Sequence, residues 1–533
     1  MKIQVVLLLA IVAVHYTAAR SVTADTKKVV CYYGSWAVYR PGLGKFDVEN
    51  IDPFLCTHIV YGFVGLGYDN KVNVLDSYND LEDNYGKGAM KRFTGLKSKN
   101  PNLKALLAIG GWNEGSSKYS DMVSSAASRR TFIDSVLQFL PSQNFDGLDL
   151  DWEYPGHRGG KPEDKNNFDL LMAELREEFN KRGYLLTAAV SAGEATIVNA
   201  YNIPNMARYL DFISIMAYDF HGAFDGYAHH HSPLYEYPED RAHNSETFNM
   251  AHAVKVWHDG GAPYDKLVLG LGSYGRGFTL DNANNNKPFD PASRPLPPAQ
   301  YTRDIEGGVW GYNEICEDLS RNQWEVVHVD AFRAPYAVRG QYWIGYDDVD
   351  SITEKSIFAR DLGLAGVMVW SIETDDFQGT CGETFPLVKA MWKAVNGDII
   401  APPTPTTTTR DPELPPETTT TTTTTTSRPI PTGEPGNICK KEGFNADPDD
   451  CHIFYRCEWD PINDSWHITP FMCGPGTGFS EEKQACDFEQ NIPRCRQWIA
   501  EDKRGSRVMN AETEETLTIR TDVGLCGKFK SSW

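Results

Sequence analysis

The sequence predicts an α/β protein: a (β/α)8 TIM barrel with an α+β insertion subdomain, joined by a Thr/Pro-rich linker to a small disulfide-rich β module. Three observations carry this. Eight short β-branched or apolar runs alternate with amphipathic stretches between residues 29 and 370, the pattern of repeated βα units around a parallel sheet. Residues 401–437 are dominated by Thr and Pro, with unbroken Thr over 418–426, so they hold almost nothing to bury. Beyond them crowd six of the 11 cysteines, the mark of a stapled module.

In chain order, Lys2 precedes an apolar run over 3–14 interrupted only by Gln4, and Thr17, Ala18 and Ala19 follow. Residues 1–19 therefore read as a secretory signal peptide. No later run approaches the roughly 18 apolar residues of a membrane helix, so a secreted, extracellular protein with no membrane partner is expected. A formal charge of -21 also removes the electrostatic attraction that nucleic acid binding needs.

The barrel domain is expected over 27–398, with strands at 29–33, 58–64, 105–110, 147–151, 185–191, 212–218, 266–271 and 366–370. Phe168, Leu171, Met172, Leu175 and Phe179 recur at helical spacing after the fourth. The long interval before the eighth strand contains Trp310, Trp324 and Tyr342, which predicts an inserted subdomain at about 275–345 rather than an unstructured loop.

The fourth run, Phe145-Asp-Gly-Leu-Asp-Leu-Asp-Trp-Glu-Tyr-Pro155, is the most informative stretch. Asp149, Asp151 and Glu153 alternate with Leu148, Leu150 and Trp152, so the acids share one side of a strand, roughly 6–7 Å apart. A solvated polar face or a calcium site would use the same acids, but acids inside a barrel are costly unless functional. Crowding raises their pKa values, so at least one should hold a proton near neutral pH. Glu153, nearest the C-terminal mouth, is the candidate general acid.

Asp146-Gly-Leu-Asp149-Leu-Asp151-Trp-Glu153 resembles the signature of glycoside hydrolase family 18, the chitinases. Ala108-Ile-Gly110-Gly111-Trp112, Met216-Ala217-Tyr218-Asp219 and Gly366-Val-Met-Val-Trp370 resemble its third-, sixth- and eighth-strand motifs. The resemblance implies a substrate-assisted mechanism without a cofactor or a metal. In it Glu153 protonates the glycosidic oxygen, Asp151 stabilises the oxazolinium nitrogen and Tyr218 hydrogen-bonds the acetamide oxygen. Asp219 and Arg276 hold neighbouring hydroxyls, while Asp149 and Asp146 lie behind Asp151. Trp370 forms the floor, and Tyr32, Trp36, Phe63, Tyr78, Trp112 and Tyr274 line the cleft. Gly110, Gly111, Asn113, Tyr154, Met216 and Ala217 complete the implied substrate contacts. The implied partners are chitin and N-acetylglucosamine oligomers, bound by a monomer.

Cys31, Cys56, Cys316 and Cys381 belong to the barrel domain and are expected to be disulfide-bonded in an oxidising compartment. The six-cysteine cluster, at 438–496, resembles the peritrophin-type chitin-binding domain. That resemblance implies Cys439 with Cys457, Cys451 with Cys495, and Cys473 with Cys486, where spacing alone leaves 15 pairings open. Asn463-Asp-Ser465 is an N-glycosylation acceptor. The tail, 497–533, is expected to be disordered, with Cys526 unassigned. The competing reading is an inactive chitin-binding lectin.

Overall fold

The computed structural model describes residues 26–243, 247–302 and 307–397 and, in the C-terminal region, 439, 441, 443–446, 451, 453–460, 465–473, 477–481, 485–488, 492 and 495. The expected signal segment, linker and tail, Cys526 and Asn463 lie outside the described residues. Two compact units are distinguished, residues 1–407 and 408–533.

The first unit is built on eight parallel strands: β1 (Lys28–Gly34), β2 (His58–Leu66), β3 (Lys104–Gly110), β4 (Gly147–Asp151), β5 (Leu185–Val190), β6 (Phe212–Ile215), β7 (Leu267–Gly272) and β8 (Gly366–Trp370). β1 pairs with both β2 and β8, which closes the sheet into a barrel and leaves no free edge among the eight. Alternation then sorts the side chains. Val30, Val60, Leu106, Ala108, Ala189 and Met368 fill the interior, while Leu148, Leu150, Leu186 and Ile213 face the surrounding helices. The helix Asp164–Asn180 buries the expected Phe168, Leu171, Met172, Leu175 and Phe179 against that outer layer, each worth about 1.5–3 kcal/mol of burial.

The interval after β7 folds as predicted in kind, into an antiparallel sheet with the helix Tyr312–Arg321. Its strand Tyr274–Thr279 pairs with Tyr342–Gly345, so the insertion begins immediately after β7 and delivers Tyr274 and Arg276 to the barrel mouth. Disulfides Cys31–Cys56 and Cys316–Cys381 staple β1 to the approach of β2 and the insertion helix to the segment after β8. In the second unit, Gly443–Ala446, Ile453–Asp460 and Ser465–Met472 form a three-stranded antiparallel sheet beside the hairpin Thr477–Ser480 and Ala485–Phe488. Cys439–Cys457 and Cys451–Cys495 are bonded, and Cys473 is also disulfide-bonded. The side chain of Cys486 lies outside the described residues. Among the described residues, no helix is long and apolar enough to cross a membrane.

A fully buried ion pair ties the insertion to the barrel. Lys355, on the helix Val349–Asp361, donates to Asp347 at the insertion's end and to the Ser232 carbonyl (2.7 Å) in the loop after β6. Lys355→Met strips the charge partner from a buried carboxylate, and such a change costs about 3–5 kcal/mol. Chemical unfolding of the barrel unit should report a loss of this size, and a change below about 1 kcal/mol would refute the clasp.

Candidate active site

All five residues of β4 are buried, and its register sets Asp149 opposite Ala108 and Thr187, and Asp151 opposite Gly110. Asp149 is fully buried and accepts the Tyr32 hydroxyl at 2.6 Å and the Thr187 hydroxyl. Burial still outweighs these donors and pushes its carboxyl up to about 6. Asp151, on the same side, rises well above the ordinary range through burial and then the charges of Glu153 and Asp149. Its Oδ1 is buried without a hydrogen-bond partner. Glu153 stands two residues past the strand end and is 9% exposed. Burial pushes it up to about 7, moderated by the Tyr154 hydroxyl and the Arg158 guanidinium. The row is therefore a set of carboxyls that cannot all ionise near neutral pH.

Neighbouring groups fix its shape. Gly110 has φ +120°, and a Cβ there would sit 2.0 Å from the Asp151 carbonyl oxygen; one on Gly111, at φ +86°, would strike the Phe63 ring at 2.9 Å. Only glycines let β3 approach so closely. Behind the acids, Trp152 donates from Nε1 to Ser116 (2.9 Å), and the Ser116 hydroxyl donates to the Tyr154 carbonyl (3.0 Å). Buried Asp164 accepts from Ser120, Lys161 N and Gly156 N, which secures the loop after Glu153.

Trp370 at the end of β8 packs with Tyr32 (5.7 Å), Phe63 (5.7 Å) and Trp36 (6.3 Å), forming one aromatic floor. Tyr218 and Met216 join the same inner cluster. Among the described residues, the Tyr218 hydroxyl reaches only the Met368 sulfur, at 3.8 Å, a weak acceptor. Opposite, Asp219 accepts from the Tyr274 hydroxyl and Arg276 Nε, both at 2.6 Å on Oδ1. Trp112 is 58% exposed, with the Arg158 guanidinium 3.5 Å over its ring; Asn113 is exposed on the same turn.

Two expected site residues direct their side chains elsewhere, and a third is exposed on a short helix. Asp146 has the opposite parity to the row and precedes β4. It ion-pairs with Lys97 (3.0 Å) and accepts from Ala105 N (2.8 Å), holding the closed end of the barrel rather than backing Asp151. The Ala217 side chain is buried in the outer layer. Tyr78, on the short helix Ser77–Asp80, is half-exposed beneath Lys87, which it shares with Tyr39. Conversely, Thr187 and Arg158 were not anticipated. Thr187 was legible as the one polar residue within an apolar strand, whereas Arg158 sits in a Gly-rich loop whose sequence carries no such signal.

Comparison with known proteins places these features in context. Residues 28–375 match the glycosyl hydrolases family 18, and residues 439–495 match the chitin binding Peritrophin-A domain. An endochitinase of Manduca sexta is 40% identical over 397 residues, covering 72% of this chain and 70% of the relative. The Ostrinia furnacalis group IV chitinase, solved with allosamidin, is 45% identical with a TM-score of 0.67, covering 70% of this chain and 100% of the other. Human YKL-39, described as a pseudo-chitinase with retained chitooligosaccharide binding, is 39% identical with a TM-score of 0.63, covering 69% and 99%.

The raised Glu153 carboxyl makes a stability prediction. A folded pKa of about 7, above the unfolded value of about 4.3, means stability fully present below about pH 4 and lost as pH rises toward 7. Glu153→Gln removes that loss. It should be more stable than the parent at pH 8 by on the order of 3–4 kcal/mol and equal to it near pH 4. Equal denaturation midpoints at pH 8 would place Glu153 in the ordinary carboxylate range.

Proposed function

The chain belongs to glycosyl hydrolase family 18 and carries a peritrophin-A chitin-binding domain, and from that premise we propose that it is an active chitinase. It cuts internal β-1,4 bonds between N-acetylglucosamine units by a substrate-assisted, retaining mechanism. The observation that carries the reading is Asp151: a buried carboxyl with an unpartnered oxygen, set between Asp149 and Glu153. Such a group lacks a donor, and an acetamide N–H, increasingly positive as its carbonyl oxygen attacks carbon, is the donor that fits.

Family 18 is among the exceptions to the two-carboxylate scheme, with the substrate supplying the nucleophile. Glu153 transfers its proton to the glycosidic oxygen as the C1–O bond breaks and the acetamide oxygen bonds to C1. Asp151 offsets the oxazolinium charge, and the Tyr218 hydroxyl orients the acetamide oxygen. Water then attacks C1 as the C1–O bond to the acetamide breaks and the acetamide reforms, gives its proton to Glu153 and restores the β configuration. Trp370 and its aromatic neighbours stack on the sugar ring, and Asp219, held by Tyr274 and Arg276, takes hydroxyls beside it. An oligosaccharide binder without catalysis, as YKL-39 is described, is the competing reading; the presence of Glu153, which burial pushes up to about 7 within its acid row, favours the enzyme. The signal segment directs the chain to the extracellular space, where disulfides persist.

Two outcomes test this. Glu153→Gln should lose about 10²-fold or more of oligomer hydrolysis, the usual worth of acid-base catalysis, while still binding oligomers. Residual activity within about tenfold would refute Glu153 as the acid. Partly deacetylated chitin should yield N-acetylglucosamine at every new reducing end, initially as the β anomer by proton NMR. Abundant glucosamine ends or initial α anomer would overturn the mechanism.

A further inference from the structure

Arg158 eases the charge on Glu153, but its direct contacts are with two main-chain oxygens and an indole. Its backbone lies at φ +50°, the left-handed region that residues bearing a Cβ disfavour. The residue is exposed, so burial offers nothing against that strain, and its contacts are what it gains. Nη1 has two hydrogens and donates to the carbonyl of Trp112 at 2.8 Å and to that of Glu153 at 3.1 Å. The centre of the guanidinium stands 3.5 Å from the Trp112 ring centroid, where a planar cation covers one face of an indole. Ser116 fastens the same two segments, its N–H donating to the Arg158 carbonyl (3.3 Å) and its hydroxyl to the Tyr154 carbonyl (3.0 Å).

Trp112 has little else to hold it. It opens the short turn Trp112–Glu114 between Gly111 at φ +86° and Gly115 at φ +65°. Among the described residues it makes no ring–ring contact, and it is 58% exposed. With the guanidinium on one face, that exposure falls on the other face and the edges. A bare indole face suits the apolar C–H face of a sugar ring, and the arginine links this one directly to the segment that carries the proton donor.

We infer that Arg158 is a positioning residue acting through Trp112. It clamps the indole as a one-faced plate and, through Nη1, ties that plate to the carbonyl of Glu153, so that the plate holds an N-acetylglucosamine unit next to the bond being cut. Without the guanidinium the exposed ring regains its rotamers, and each sugar that stacks on it bears the cost of ordering it again. Binding then weakens in ground state and transition state alike, which raises KM and leaves kcat.

This deepens the chitinase reading and rests on Trp112 as a sugar-binding residue. KM and kcat for an N-acetylglucosamine hexamer are measured in the full chain at about pH 5.5, where burial keeps the Glu153 proton in place. Arg158→Gly suits the left-handed backbone and keeps the carbonyl that Ser116 uses; Arg158→Gln is the second variant should Gly loosen the loop. Either should raise KM about fivefold, within the range of a cation–π contact, with kcat within about twofold of the parent. In a Trp112→Ala background the same change should raise KM by less than about twofold, the scatter of uncoupled changes. An equal rise in both backgrounds, or a loss carried by kcat, would overturn the role of Arg158 while hydrolysis itself upholds the function. A second readout is the Trp112 indole N–H resonance, identified by its loss in Trp112→Ala. Its heteronuclear NOE should fall in Arg158→Gly, and an unchanged value would overturn the clamp. Trp112→Ala with the parental KM would overturn the plate and this inference together, and a parent that does not cleave the hexamer would overturn the chitinase reading beneath them.

Discussion

The structure is organised around one electrostatic constraint: three carboxyls on alternate residues, at and just beyond the end of a barrel strand, share a space too dry to let them all ionise. Asp149 and Asp151 occupy interior positions that elsewhere in the barrel hold Val30, Val60 and Leu106, so each charge there is opposed by burial before any neighbour is counted. Two hydroxyl donors ease Asp149, whereas Asp151 keeps an oxygen without a partner. The folded chain accepts this cost in the place where a barrel scaffold offers its open end. The remaining groups follow from keeping the row rigid, dry on one side and open on the other.

The surrounding architecture answers that demand in layers. Glycines bring β3 against the row, hydroxyls of Tyr32 and Thr187 hold its base, and the loop beyond it is secured by Asp164. The aromatic floor supplies an apolar wall without adding charge. The insertion supplies what the barrel strands do not, a Tyr and an Arg directed at Asp219. Its register depends on a strand that leaves β7 and on the buried Lys355–Asp347 clasp. Stability is thus placed in the layer around the acids, so that the acids themselves can remain ill at ease.

Much of this was legible in the sequence because strand periodicity is a strong signal. The alternation of Asp149, Asp151 and Glu153 with Leu148, Leu150 and Trp152 fixed which residues enter the barrel, and the eight apolar runs located each of the eight barrel strands within a few residues. Parity also explains the error over Asp146, which belongs to the motif in sequence but faces away from the row and reaches Lys97 instead. The Arg158 guanidinium over the Trp112 ring depends on how distant segments meet, and local pattern carries no information about that. The fold's layers were readable from the chain, while the partners of the second layer emerged only in three dimensions.

The central claim is that the acid row retains a proton near neutral pH. Carbon-13 NMR titration of labelled Asp and Glu carboxyls, assigned through Asp151→Asn and Glu153→Gln, measures this directly. The account predicts that at pH 6 at least one carboxyl resonance stays at its protonated position, and that it disappears or shifts its titration in both variants. Full ionisation of every carboxyl in the row by about pH 5, as for unperturbed side chains, would contradict it.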